Sequence, residues 1–93
     1  MAFALARVSP NPAAGADRIG WSQPRAAEAR LDVFDVGGRR LRTLDDRTEG
    51  TGVHLATWDL TDDRGSRVRP GLYFARLTVA GEGDRTRRLT VIR

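Results

Sequence analysis

Asp59, Asp62 and Asp63 place three carboxylates within five positions of one another, and closely spaced carboxylate oxygens are what a calcium ion takes as ligands. The spacing does not follow the alternating ligands and terminal bidentate glutamate of an EF-hand loop. Asp62 and Asp63 can instead bond to nearby backbone amides in Asx-turns, beside a Gly65 free to adopt a left-handed conformation. The segment therefore reads first as a stabilised turn, with Asp59, Asp62 and Asp63 kept as a weak candidate calcium site. His54 is the sole histidine, and the chain has no cysteine. A histidine-activated nucleophile would have to be Ser9, Ser22 or Ser66, and none of these lies in a nucleophile elbow. The twelve acidic residues could formally include a glycosidase-type pair, but nothing in their spacing brings two of them into one pocket. The glycines at Gly37-Gly38 and in the run Gly81 to Asp84 lack the strand-to-helix context of a phosphate loop. No catalytic residue and no cofactor are expected. Trp21 and Trp58 are the remaining candidates, as a stacking platform for sugars. Trp58 is better explained by burial, and Trp21 lies on a short strand read as a possible edge.

Charge narrows the partners. All sixteen basic residues are arginine and the net charge is +4, yet acidic residues interrupt the arginines nearly everywhere. The denser runs, Arg39, Arg40 and Arg42, and Arg85, Arg87 and Arg88, read as solvated strand faces rather than a phosphate-tracking surface, so nucleic acid is not an expected partner. Without lysine the chain cannot form a Lys–Asn isopeptide lock, and without cysteine it has neither a disulfide nor a thiolate metal site. No apolar run is long enough to span a membrane as a helix. The apolar start, Met1 to Val8, lacks the charged leader and long core of a signal peptide. The chain is expected to be part of a longer exported protein.

The elements that would position these residues alternate with period two. Seven strands are expected, at Phe3 to Val8, Arg18 to Gln23, Ala29 to Val36, Arg39 to Asp45, Val53 to Leu60, Leu72 to Ala80 and Arg85 to Ile92. Gly37-Gly38 predicts a two-residue primed hairpin. "DRTEGTG" reads as a loop, and Pro70-Gly71 suits a type II turn. In the fifth strand either face could be the inner one, His54, Ala56 and Trp58 or Val53, Leu55 and Thr57; the size of Trp58 favours its face, which would bring His54 toward the core edge. Tyr73, Ala75, Leu77 and Val79 share one face, as do Leu89 and Val91. Seven short strands without a capped amphipathic helix predict an all-β, immunoglobulin-like antiparallel sandwich occupying residues 1–93 as one domain.

The order of motifs, "SPNP", "LDVFDVGGRRLRTL", "GTGVHLATWDLTDDRGSRVRPGLYFARL" and a basic "RTRRLTVIR", resembles the immunoglobulin-like domain of the flagellar hook-capping family. It equally resembles the C-terminal sorting domains of type IX secretion cargo. The likeness covers roughly residues 8–93. It implies family positions at Pro10, Asn11, Pro12, Gly38, Arg39, Gly52, His54, Trp58, Asp59, Gly65, Gly71 and Tyr73. Two positions depart from the pattern. The glycine usual after Trp-Asp is Leu60, and the final strand is rich in arginine rather than lysine.

The resemblance implies a non-catalytic C-terminal module of an exported bacterial protein, extracellular or at the cell surface. Its final strand, with Arg88, Leu89, Val91 and Arg93, would be a sorting tail read by export or surface-attachment machinery. The parent chain's other domains are further candidate partners. A structural assembly domain and an accessory carbohydrate-binding module are the alternatives.

Overall fold

A computed structural model describes residues 2–9 and 15–92, with the side chains of 7–9 left out. Its strands are β1 (Ala4–Ser9), β2 (Asp17–Gln23), β3 (Ala27–Asp35), β4 (Arg40–Glu49), β5 (Gly52–Trp58), β6 (Gly71–Val79) and β7 (Gly83–Val91). They form a three-stranded sheet, β1-β2-β5, stacked on a four-stranded sheet, β4-β3-β6-β7. Every pairing within the two sheets is antiparallel. This is the expected sandwich.

Alternation along each strand builds the core. Ile19 and Trp21 of β2, Leu31 and Val33 of β3, the four inward residues of β6, and Leu89 and Val91 of β7 all point between the sheets and are buried. Trp58 closes the inward stripe of β5, while Val53 and Leu55 on the opposite parity are 74% and 54% exposed. Tyr73 meets the Trp58 ring edge-on, with centroids 5.6 Å apart. Its hydroxyl reaches back to the carbonyl of Arg69 at 2.5 Å, a tyrosine corner that pins the entry to β6.

Four local expectations are corrected. The segment read as a loop after Asp45 continues β4, because Ala27 to Arg30 pair with Glu49 to Asp46. Its polar side chains suit an edge strand wetted on one side, and the turn falls at Gly50-Thr51. Gly37-Gly38 is not a primed pair: of the two, only Gly38 has positive φ, at 85°. Asp35 donates its N–H to the Arg39 carbonyl, and Gly38 donates to the Asp35 carbonyl, so the hairpin closes over a three-residue loop with a bulge. Gly71 has φ 153° and opens β6 opposite Val91, which rules out the type II turn. The fifth strand ends at Trp58, because Leu60 turns to φ 64° and leaves the ladder.

Candidate functional site

The acidic loop follows Trp58 and is anchored by that residue's indole N–H, which donates to the Thr61 carbonyl at 2.9 Å. The structure does not gather Asp59, Asp62 and Asp63 around one point. Asp59 accepts from the Thr61 amide and hydroxyl and from Arg42. Those bonds, the Thr61 hydroxyl foremost, hold its carboxyl below its usual range. Asp62 turns to the amides of Arg64 and Ser66, at 2.9 and 3.0 Å. Asp63 faces Arg40 and the Thr43 amide on β4. Thr43 passes the network on, donating to Asp32 at 2.7 Å, and Asp32 in turn pairs with Arg30. Among the described residues, no cluster of acidic and histidine side chains has the arrangement of a metal site. Asp59 and Asp63 clamp the loop onto β4, Asp62 braces it from within, and all three carboxylates are engaged.

Asp62 and Asp35 do the same job twice. In each, one carboxylate oxygen accepts the amides two and four residues on. A glycine three residues on, Gly38 or Gly65, takes positive φ and donates to the aspartate carbonyl. The shared sequence signature is Asp-x-x-Gly, and the Asp35 copy was legible in "DVGG" but went unread. Asp62→Ala is expected to cost about 1–2 kcal/mol in urea unfolding, because two charge-assisted bonds to backbone amides are lost.

A second cluster was missed in the sequence because it sits where a loop was expected. Asp45, Arg47 and Glu49 of β4 face the edge of β5 across a cleft of about 160 Å³. Arg47 Nε lies 2.8 Å from Glu49 and 3.2 Å from Asp45. His54 approaches Glu49 through Nδ1 at 3.4 Å and lies 2.7 Å from the Gly50 carbonyl through Nε2. The ring stacks at a tilt on Trp21, centroids 5.3 Å apart. The Asp45 side chain is 10% exposed, and its Oδ2 is buried with no hydrogen-bond partner among the described residues. Burial, reinforced by Glu49, pushes the Asp45 carboxyl up to about 6. Arg47 and Asp45 hold Glu49 below its usual range.

A carboxyl that binds its proton more tightly in the folded chain stabilises it fully below its unfolded value near 3.8, and that contribution is lost as pH rises through about 6. Asp45→Asn is therefore expected to raise stability by about 1–2 kcal/mol at pH 7 and to change it little at pH 4. Paired urea titrations at the two pH values measure this.

The remaining expected positions divide between core and edge. Trp21 is buried at 3% exposure in the middle strand of its sheet and donates its indole N–H to the buried Gln23. At that exposure the ring offers no platform on which a sugar could stack. Trp58 is fully buried. Gly52, Gly65 and Gly38 all take positive φ, and Arg39 contributes backbone groups to the Asp35 hairpin. Leu89 and Val91 of the proposed tail are core residues. Arg87 ties β7 to the Leu5 carbonyl of β1 at 2.7 Å, and Arg85 lies over the Phe3 ring at 4.5 Å. Arg88 pairs in register with Phe74 and is exposed. Pro10, Asn11, Pro12 and Arg93 lie outside the described residues.

The fold has several solved counterparts. Dimeric latent PorU from Porphyromonas gingivalis matches 99% of this chain at TM-score 0.75 and 18% identity, over 10% of its own length. FlgD from Xanthomonas campestris matches 88% at TM-score 0.60 and 20% identity, over 59% of its length. PorZ, a surface component of the type IX secretion system of P. gingivalis, matches 98% at TM-score 0.52 and 20% identity, over 11% of its length. The chain thus spans about a tenth of PorU and PorZ and under two thirds of FlgD. Curated protein sequences yield no match. At these identities the structures establish the fold alone. The model of the FlgD Ig-like domain matches residues 7–83, most of the sequence, and the chain belongs to that family.

Proposed function

We propose that this chain is a non-catalytic module of a larger exported bacterial protein, placed at its C-terminal end and used for sorting or for attachment at the cell surface. The observation that carries this reading is the likeness to PorU and PorZ, which spans 98–99% of the chain but about a tenth of theirs. The same sandwich serves there as a small unit within a long polypeptide. The side chains agree with a structural role. The acidic loop is consumed in clamping β4, and Trp58, Tyr73, Leu89 and Val91 fill the core.

Removing the last six residues would take Leu89 and Val91 out of the core, so that deletion would report unfolding as well as sorting. A reporter fused to the whole domain separates the two, with an Arg88→Glu version alongside it. Retention of the reporter when the domain is absent, and impaired export by Arg88→Glu at unchanged melting temperature, support sorting. Equal export with and without the domain overturns it.

The FlgD of X. campestris is described as a hook-capping protein essential for flagellar assembly, and its match over 88% of this chain favours a second reading, a structural assembly domain. Sedimentation velocity at micromolar concentration distinguishes them: self-association favours assembly, and a monodisperse monomer favours sorting.

A further inference from the structure

Each sheet of an open sandwich has two edges, and unpaired backbone on an edge invites another strand. Three of the four edges here are guarded. β4 carries Arg40, Arg42, Asp45, Asp46, Arg47 and Glu49, and its pairing with β3 shifts register twice. β7 carries Asp84, Arg85, Arg87 and Arg88. β1 shifts register against β2 at its far end. β5 has none of these devices. Its seven residues include no arginine, carboxylate or proline, and it pairs with β2 without interruption from Gly52 to Trp58. Its outer face presents Val53 and Leu55, apolar side chains left exposed by the described residues.

The cleft beside that edge is acidic. Asp45 and Glu49 line it from β4, together with Arg47, and His54, Ala56 and Thr57 line it from β5. Asp45 is nine-tenths buried, with an oxygen unsatisfied among the described residues. Arg47 engages the other oxygen of Asp45 and one oxygen of Glu49 but is itself 75% exposed, so it covers the cleft from outside.

We propose that the β5 edge takes up an extended segment of a partner protein, and that an arginine or lysine of that segment enters the cleft to meet Asp45 and Glu49. An added strand runs about 4.8 Å from β5, and its side chains alternate between the two faces. One set covers Val53 and Leu55 and should be apolar. The other faces β4, where a guanidinium or ammonium satisfies the buried carboxylate oxygen. The recognised pattern is apolar residues alternating with small polar ones around a central basic residue. Binding a cation draws the proton off Asp45, so affinity falls between pH 7 and pH 5. Glu49 and Arg47 on β4 and His54 on β5 are the other groups facing the site. The inference stands whether the module sorts, attaches or assembles.

The test uses two capped heptapeptides, Val-Thr-Val-Arg-Val-Thr-Val and its counterpart with a central glutamate. Each is titrated into the 93-residue chain while backbone amide signals are followed by NMR. The arginine peptide is expected to shift residues 52–58 and to bind at least tenfold more tightly than the glutamate peptide. The Asp45→Asn/Glu49→Gln variant is expected to erase that preference while keeping the native spectrum. Equal binding of the two peptides, or no shift in β5 up to millimolar peptide, overturns the proposal. So does a concentration-dependent dimer of the chain alone that protects the β5 amides, since a second copy would then hold the edge.

Discussion

Trp58→Ala is expected to remove about 3–5 kcal/mol of stability, a large share of the roughly 5–14 kcal/mol that a domain of this size possesses. The side chain is completely buried where β5 ends, edge-on to Tyr73. Its loss opens a cavity between the sheets. It also frees the Thr61 carbonyl, which the indole N–H holds at the start of the acidic loop. Trp58→Phe separates the two contributions, keeping most of the ring volume but leaving that carbonyl without its donor. Its expected cost is about 1–3 kcal/mol. Urea unfolding followed by far-ultraviolet circular dichroism measures both. A Trp58→Ala loss under about 1 kcal/mol would mean that the ring does not organise the core.

Leu60 carries the second large effect, with an unusual order of outcomes. Its side chain is fully buried although its backbone sits at φ 64°. A left-handed conformation costs a residue with a Cβ about 1–2 kcal/mol, while burying a leucine contributes about 1.5–3 kcal/mol. Burial therefore outweighs strain, which accounts for a leucine where the family pattern has glycine. Leu60→Ala keeps the strain and loses the packing, and is expected to cost about 2–5 kcal/mol. Leu60→Gly loses the packing but relieves the strain. It is expected to match Leu60→Ala or exceed it by up to about 1 kcal/mol, although glycine in an extended segment ordinarily trails alanine by about that much. Denaturant midpoints of the two variants measured side by side decide the order.

The strands were legible because alternation survives wherever one face is buried. The stripes ending at Val79 and Val91 are clean in the sequence and lie inward, whereas in β5 alternation alone left both faces open and the bulk of Trp58 decided between them. β4 was cut short because its second half, "DRTE", is polar on both parities, as an edge strand wetted on its open side can be. With the strand truncated, Asp45 and Glu49 had no common face in the sequence, and their meeting with His54 across the cleft stayed hidden. Trp21 misled in the opposite direction: β2 is short, but it is the middle strand of its sheet, and strand order is a long-range property. Of the Asx bonds expected in the acidic loop, Asp62 makes its own, while Asp63 reaches across to β4 instead.

The contacts between β1 and β7 fix their relative direction. Phe3 lies by Arg85, and two residues further on Leu5 lies by Arg87, so the first and last strands advance side by side with the same sense. Tension applied through the two ends of the module would pull these strands lengthwise past one another. The ladders that hold them would be loaded all at once rather than peeled open rung by rung. A unit strung within a longer polypeptide would then resist mechanical stretching by virtue of its geometry, at a rate set by the barrier to unfolding rather than by its equilibrium stability.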